Sequence, residues 1–168
     1  MKFSFVLVML SVLLSCKENN YCKKITVDKS LLDSVKKKAD TSYTKSYRSK
    51  EFANAEYYIN RKDTTVCQIM KDTADQVRQI IMSKRDTKLF NAEYYGNGQL
   101  KAHLPLDENG RLNGKGEFYF ENGCVKSKGI FYHGFYVGEW KIYNDKGLNI
   151  SIDKYDSNGQ LIKTVPTN

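Results

Sequence analysis

The side chains able to do chemistry in this 168-residue chain are few: four cysteines, two histidines and scattered carboxylates. His103 and His133 have no serine or cysteine at motif spacing. Nor does the sequence hold Gly-x-Ser-x-Gly, His-Glu-x-x-His, a Walker loop or a dinucleotide fingerprint. Cys22, Cys67 and Cys124 form no Cys-x-x-Cys and fit no zinc spacing. The expectation is no metal and no cofactor, with either one disulfide plus a buried thiol or three buried thiols. A glycosidase would need paired carboxyls such as Asp107-Glu108 or Glu117 with Glu121, held ~5–10 Å apart in a cleft. Gly110, Gly114 and Gly116 mimic a phosphate loop. No helix pattern follows to supply an N-terminal dipole, so turns and bulges explain them better. The expectation is a protein that is not an enzyme.

The fourth cysteine, Cys16, has a different context. It closes an apolar run from Phe3 to Leu14, broken by Ser4 and Ser11. At ~1.5 Å per helical residue that run falls well short of a ~30 Å hydrocarbon core, so residues 1–15 read as a signal peptide and not an anchor helix. Leu13-Leu14-Ser15-Cys16 resembles the bacterial lipobox, which implies acylation of Cys16 with palmitate or a related chain, making it the first mature residue. Lys17-Glu18 is similar to the charged export signals of surface lipoproteins of Bacteroidota. The resemblance implies a lipid-anchored protein of the cell envelope, at the outer membrane.

Formal net charge is +8. It divides as +1 over residues 1–16, +6 over 17–50 and +1 over 51–168. The excess follows the lipid site, including Lys23-Lys24 and Lys36-Lys37-Lys38, where each cation is worth ~1 kcal/mol near an anionic membrane. Export and the lack of an evident basic stripe in the remainder argue against a nucleic-acid partner.

The elements that must position these groups come next. Residues 17–27 read as a linker. Leu31, Leu32, Val35 and Ala39 share a face at helical spacing, and Ser30 with Asp33 forms a capping-box pattern, predicting a short helix over 28–40. Residues 41–50 read as a polar connector. Residues 16–50 thus look like a lipidated basic tether, and a chain starting near Glu51 is expected to keep its fold.

From there the sequence repeats. Gly98, Gly110, Gly123, Gly134, Gly147 and Gly159 recur every 11–13 residues, with Asn before four of them. An apolar residue stands four before each: Tyr94, Leu106, Tyr119, Ile130, Tyr143 and Tyr155. Two after come Leu100, Leu112, Val125, Tyr136, Asn149 and Leu161. Asn-Gly between alternating apolar segments is a hairpin signal. Turn-like clusters at 61–63, 72–75 and 84–86 extend the period backwards, and Asn54-Ala55-Glu56-Tyr57-Tyr58 recurs verbatim at 91–95. The pattern predicts a mainly β domain over 51–168: an open antiparallel meander of about ten strands from Phe52 to Val165. A helix over 73–82 is the competing assignment for one segment.

Gly138-Glu139-Trp140-Lys141-Ile142-Tyr143-Asn144-Asp145-Lys146-Gly147 resembles a unit of bacterial MORN-variant repeats, and Gly114 to Gly123 matches it with Gly116 in the place of Trp140. Residues 90–163 follow the pattern with weaker copies. The resemblance, to a group described as YwqK-type and antitoxin-like, implies stacked hairpins that act as a contact scaffold.

Strand alternation places Tyr119, Phe131 and Tyr143 on one face, and Phe118, Phe120, Tyr132 and Trp140 on the other. Phe118, Phe120, Tyr132, Tyr136 and Trp140 are the candidate binding surface, since Tyr and Trp are enriched at interfaces. The function this suggests is a membrane-anchored, non-enzymatic protein-binding lipoprotein, of the immunity or antitoxin kind, with a toxin or envelope protein as partner. A glycan-active or other envelope hydrolase and a purely structural lipoprotein are the competing classes.

Overall fold

The computed structural model describes residues 22–49, 51–85 and 87–167. Cys16 and the expected signal peptide lie outside them. Eleven strands form one antiparallel sheet in strict sequence order, with one helix among the described residues. The elements are α1 (Lys29–Lys38), β1 (Thr41–Ser46), β2 (Asn54–Asn60), β3 (Thr65–Lys71), β4 (Val77–Lys84), β5 (Thr87–Tyr94) and β6 (Leu100–Pro105). They continue with β7 (Gly114–Tyr119), β8 (Val125–Tyr132), β9 (Phe135–Tyr143), β10 (Asn149–Tyr155) and β11 (Leu161–Pro166). The expected mainly β, open meander is the observed fold, and β2 to β11 are the ten strands of the repeat. Segment 72–83 is a turn and then strand β4, not a helix.

Each repeat glycine takes a left-handed backbone, φ +74° to +95°, to close its turn. Asp75 does the same at φ 60°, and its N–H donates to the Asp72 carbonyl as Gly110 does to Asp107. The early cluster at 72–75 is therefore the same turn without its glycine. Asp72, Asp107, Asn144 and Asp156 open their turns by accepting backbone N–H bonds on Oδ1 two and four residues on.

The sheet buries different faces in its two halves. Directly opposed residues share a face, so one row can be followed across nine strands: Ile69, Ile80, Ala92, His103, Glu117, Lys128, Lys141, Ile152 and Val165. It starts apolar and buried, turns charged at Glu117, Lys128 and Lys141, and ends apolar and half-buried at Ile152 and Val165. On the reverse side the row Met70, Gln79, Glu93, Ala102, Phe118, Ser127 and Ile142 runs from mostly polar to mostly apolar. We call the first the helix face and the second the back face.

The reason is size. Ten helical residues reach ~15 Å, while eleven strands at ~4.8 Å span ~50 Å. One helix can roof only part of the sheet. Leu32 and Val35 of α1, with Ile25 and Val27, pack on Cys67, Ile69, Ile80, Met82 and Ala92. Past β6 the cover narrows to the end of the sheet reached by the strap, where Tyr119, Val125 and Tyr143 stay buried in the same cluster; the rest of the helix face lies open, and a second core forms on the back face from Ala102, Leu104, Phe131 and Trp140.

Residues 22–46 belong to this domain, which corrects the picture of a free tether. Cys22 is disulfide-bonded to Cys124, 102 residues away. Gly123 accepts from Lys23, and Leu100 donates its N–H to Ile25. Gln99, 2% exposed, accepts from the Ile25 N–H at 3.1 Å. This strap ends in α1, whose cap is Asp28, not Ser30: Asp28 Oδ1 accepts from the Leu31 N–H and the Ser30 hydroxyl. The expected connector over 41–50 contains β1, paired through six residues with β2.

Candidate binding surfaces

The predicted aromatic surface divides on inspection. Trp140 is 1% exposed and lies against Gly129, where an added Cβ would come within 2.4 Å of the indole; its Nε1 donates to the Ile130 carbonyl. Phe131, also 1% exposed, fills the space over Gly116. This explains why glycine replaces tryptophan in that repeat unit: a ring from the next strand occupies the site. Phe118 and Tyr136 pack on the same pair, with ring centroids 6.1 Å and 4.4 Å from Trp140.

Trp140 and Phe118 are therefore core, and Phe131 joins them instead of Tyr119 and Tyr143. Tyr119 follows Phe118 onto the helix face by ordinary alternation, and the extra residue on β8 between Val125 and Ser127 puts Val125 opposite it, while Phe131 stays on the back face. Phe120 is half-buried at a turn, with the Lys126 ammonium 5.9 Å from its ring centre.

Tyr132 and Tyr136 remain exposed, and they have company. Phe135, Leu161 and Ile162 are also exposed, Ile162 at 65%. Tyr132 pairs with Phe135, Phe135 packs on Gly159, the Tyr136 and Tyr155 rings lie tilted with centroids 5.4 Å apart, and Tyr155 pairs with Leu161. They ring one end of the sheet, at the β8–β9 and β10–β11 turns, with Tyr132 and Phe135 on the helix face and Tyr136 on the back face; Leu161 and Ile162 open β11, a strand with a neighbour on one side only. Sequence reasoning missed Phe135, Leu161 and Ile162. A cue existed: two adjacent apolar residues in one strand cannot share a face, so one of Leu161 and Ile162 had to point away from any core.

The titratable groups stand apart. His133 sits in a turn at φ 49°, with Nδ1 3.6 Å from Asp107. His103 is mid-strand, paired with Glu117 and beside Phe90. Asp107 is committed to its turn, and the Arg111 N–H bond holds its carboxyl below the ordinary range. Cys67 is a free, buried thiol that burial pushes up to about 11, so it is no nucleophile at neutral pH. Among the described residues no three His, Cys, Asp or Glu side chains are placed to hold a metal.

Charged groups do converge on the unroofed helix face. Lys115, Glu117, Lys128, Glu139 and Lys141 line a shallow open depression of about 350 Å³. Glu117 accepts the Tyr119 hydroxyl at 2.6 Å, pushing that phenol up after burial has done the larger part. Glu139 is bound by the Lys154 ammonium at 2.6 Å, which holds it below the usual carboxylate range. A glycosidase acid needs the opposite shift.

No protein-family model matches the chain, and no curated protein matches it. Several solved structures are similar to the chain over part of its length. The GtfA/B complex is 16% identical at TM-score 0.46 over 70% of this chain and 22% of that one. Accessory secretory protein 1, 2 and 3 of Streptococcus pneumoniae is 20% identical at 0.37, over 56% and 18%. TarM is 12% identical at 0.36, over 84% and 24%. The chain spans about a fifth to a quarter of these structures, and the likeness carries no argument about activity.

Proposed function

We propose that the protein is a lipid-anchored envelope lipoprotein whose open sheet is a non-enzymatic binding scaffold for another protein. The observation that carries this is the exposed apolar rim of Tyr132, Phe135, Tyr136, Leu161 and Ile162 at the β8–β9 and β10–β11 end of the sheet, where Leu161 and Ile162 belong to the unpaired edge strand β11. Exposed aromatic and aliphatic side chains next to free backbone donors and acceptors suit a partner that adds a strand and seats side chains on the rim. The repeat resemblance makes an immunity or antitoxin-type role the favoured version, with a toxic effector or envelope protein as partner.

The membrane part rests on the lipobox at Cys16. The Cys22–Cys124 disulfide suits an oxidising compartment outside the cytosol. It also shortens the leash. Five residues separate Cys16 from Cys22, at most ~20 Å of extended chain, so the sheet is held close to the lipid instead of ranging on a long tether. Replacing Cys16 by Ala is expected to abolish palmitate labelling and membrane fractionation, and a variant that still labels contradicts the anchor. Cross-linking from the rim tests the contact.

A further inference from the structure

We propose a second site, beyond the rim: the open, lysine-bearing part of the helix face of β7 to β11 binds an acidic saccharide chain. Residues 51–168 carry sixteen basic and fifteen acidic side chains, a balance that conceals how they are sorted. Lys115, Lys128, Lys141 and Lys154 recur at a constant interval of thirteen, one on each of β7, β8, β9 and β10, and Lys163 follows on β11. The pairings put all five on one face, with Glu117 and Glu139. Five cations against two carboxylates form a basic stripe, correcting the expectation that the sheet has none.

The arrangement has a cost. Lys128 stands directly opposite Lys141, and Lys154 opposite Lys163. Like charges in directly opposed pairs destabilise a sheet, and a ligand carrying anions at strand spacing, ~4.8 Å, removes that repulsion. Lys154 is offset by Glu139, and Lys128 lies 5.7 Å from the Tyr143 ring centre. Lys115 and Lys141 stay exposed at the lip of the depression.

The shape and lining select the ligand class. A bilayer is flat, whereas this surface is a depression of about 350 Å³. Single-stranded nucleic acid stacks its bases on aromatic rings, and among the described residues no ring lines the depression. Glu117 and Glu139 would repel a polymer of phosphates alone, but they accept hydrogen bonds from hydroxyl groups. A chain bearing both anions and hydroxyls, such as a uronic-acid oligosaccharide, matches lysines and glutamates together.

Calorimetric titration of the full chain with a galacturonate octamer tests this. The octamer is expected to bind with an affinity that falls as salt rises, and the neutral galactose octamer is expected not to bind. The double variant Lys115→Gln, Lys141→Gln is expected to keep its melting temperature, both side chains being exposed, and to weaken the octamer by about tenfold or more through loss of charge-assisted contacts. Equal affinity in that variant overturns the proposal. So does inorganic polyphosphate or a DNA strand binding as tightly as the octamer, or binding confined to vesicles containing phosphatidylglycerol.

Discussion

Two glycines decide where the largest side chains go. Trp140 and Phe131 are buried although no second layer covers their half of the sheet, because Gly129 and Gly116 let the rings lie on the backbone. Gly129→Ala would put a methyl group 2.4 Å from the indole. Overpacking of this kind costs about 1–3 kcal/mol, and a urea melt monitored by Trp140 fluorescence is expected to show it. The glycines were legible as letters, but not as the floor of an aromatic cluster, and so Trp140 was expected at the surface.

Tyrosine chemistry gives a second expectation at this scale. Burial and the Glu56 hydrogen bond push Tyr58 up to about 12, against 10 for a free phenol. Its folded value lies above the unfolded one, so the stabilisation it brings is complete below pH 10 and disappears as pH rises from 10 to 12. Denaturation midpoints should fall across that window, and Tyr58→Phe should reduce the slope; an identical slope in both proteins contradicts the assignment.

At the scale of elements, the strap from Cys22 to Val27 and helix α1 roof the first half of the sheet. Cys22→Ser frees a loop closed over 102 residues. Loss of such a bridge is expected to cost about 2–5 kcal/mol, measured as a lower urea midpoint under oxidising conditions and no difference from wild type in reductant. A truncation at Glu51 goes further, stripping the cover from Ile69, Ile80 and Ala92, and is expected to yield an aggregating chain.

Strands β2 to β11 were legible because each carries an apolar rhythm and ends in a turn whose residues need positive φ or an Asx acceptor. β1 was not: Thr41–Ser46 lies at the sheet edge and is exposed from Ser42 onward, so it needs no apolar alternation. Asp28 escaped as a cap because Ser30 and Asp33 offered a better-known pattern two residues later.

For the whole molecule, the exchange of buried face at β6 is the organising fact. It could not be read from the repeat, because it depends on which strands the helix covers and on bulges that flip side chains between faces. Register shifts between Glu93 and Tyr94 and between Phe118 and Tyr119 are two of these. Leu100 and Ala102, two residues apart, consequently serve different cores. The exchange leaves a charged helix face, an aromatic back face and an apolar rim at one end of a sheet in which ten of the eleven strands come from the same repeat. Glu139, held below the usual carboxylate range by Lys154, is shifted away from proton donation.

The rim is where the account is most exposed to test. A photoreactive p-benzoylphenylalanine placed at position 132 or 161 in intact cells is expected to give a discrete adduct with one envelope protein, while placement at Thr44 on β1 gives none. Adducts of the same identity from position 44, or none from 132 and 161 in cells where the protein is membrane-bound, would contradict a binding scaffold built on this edge.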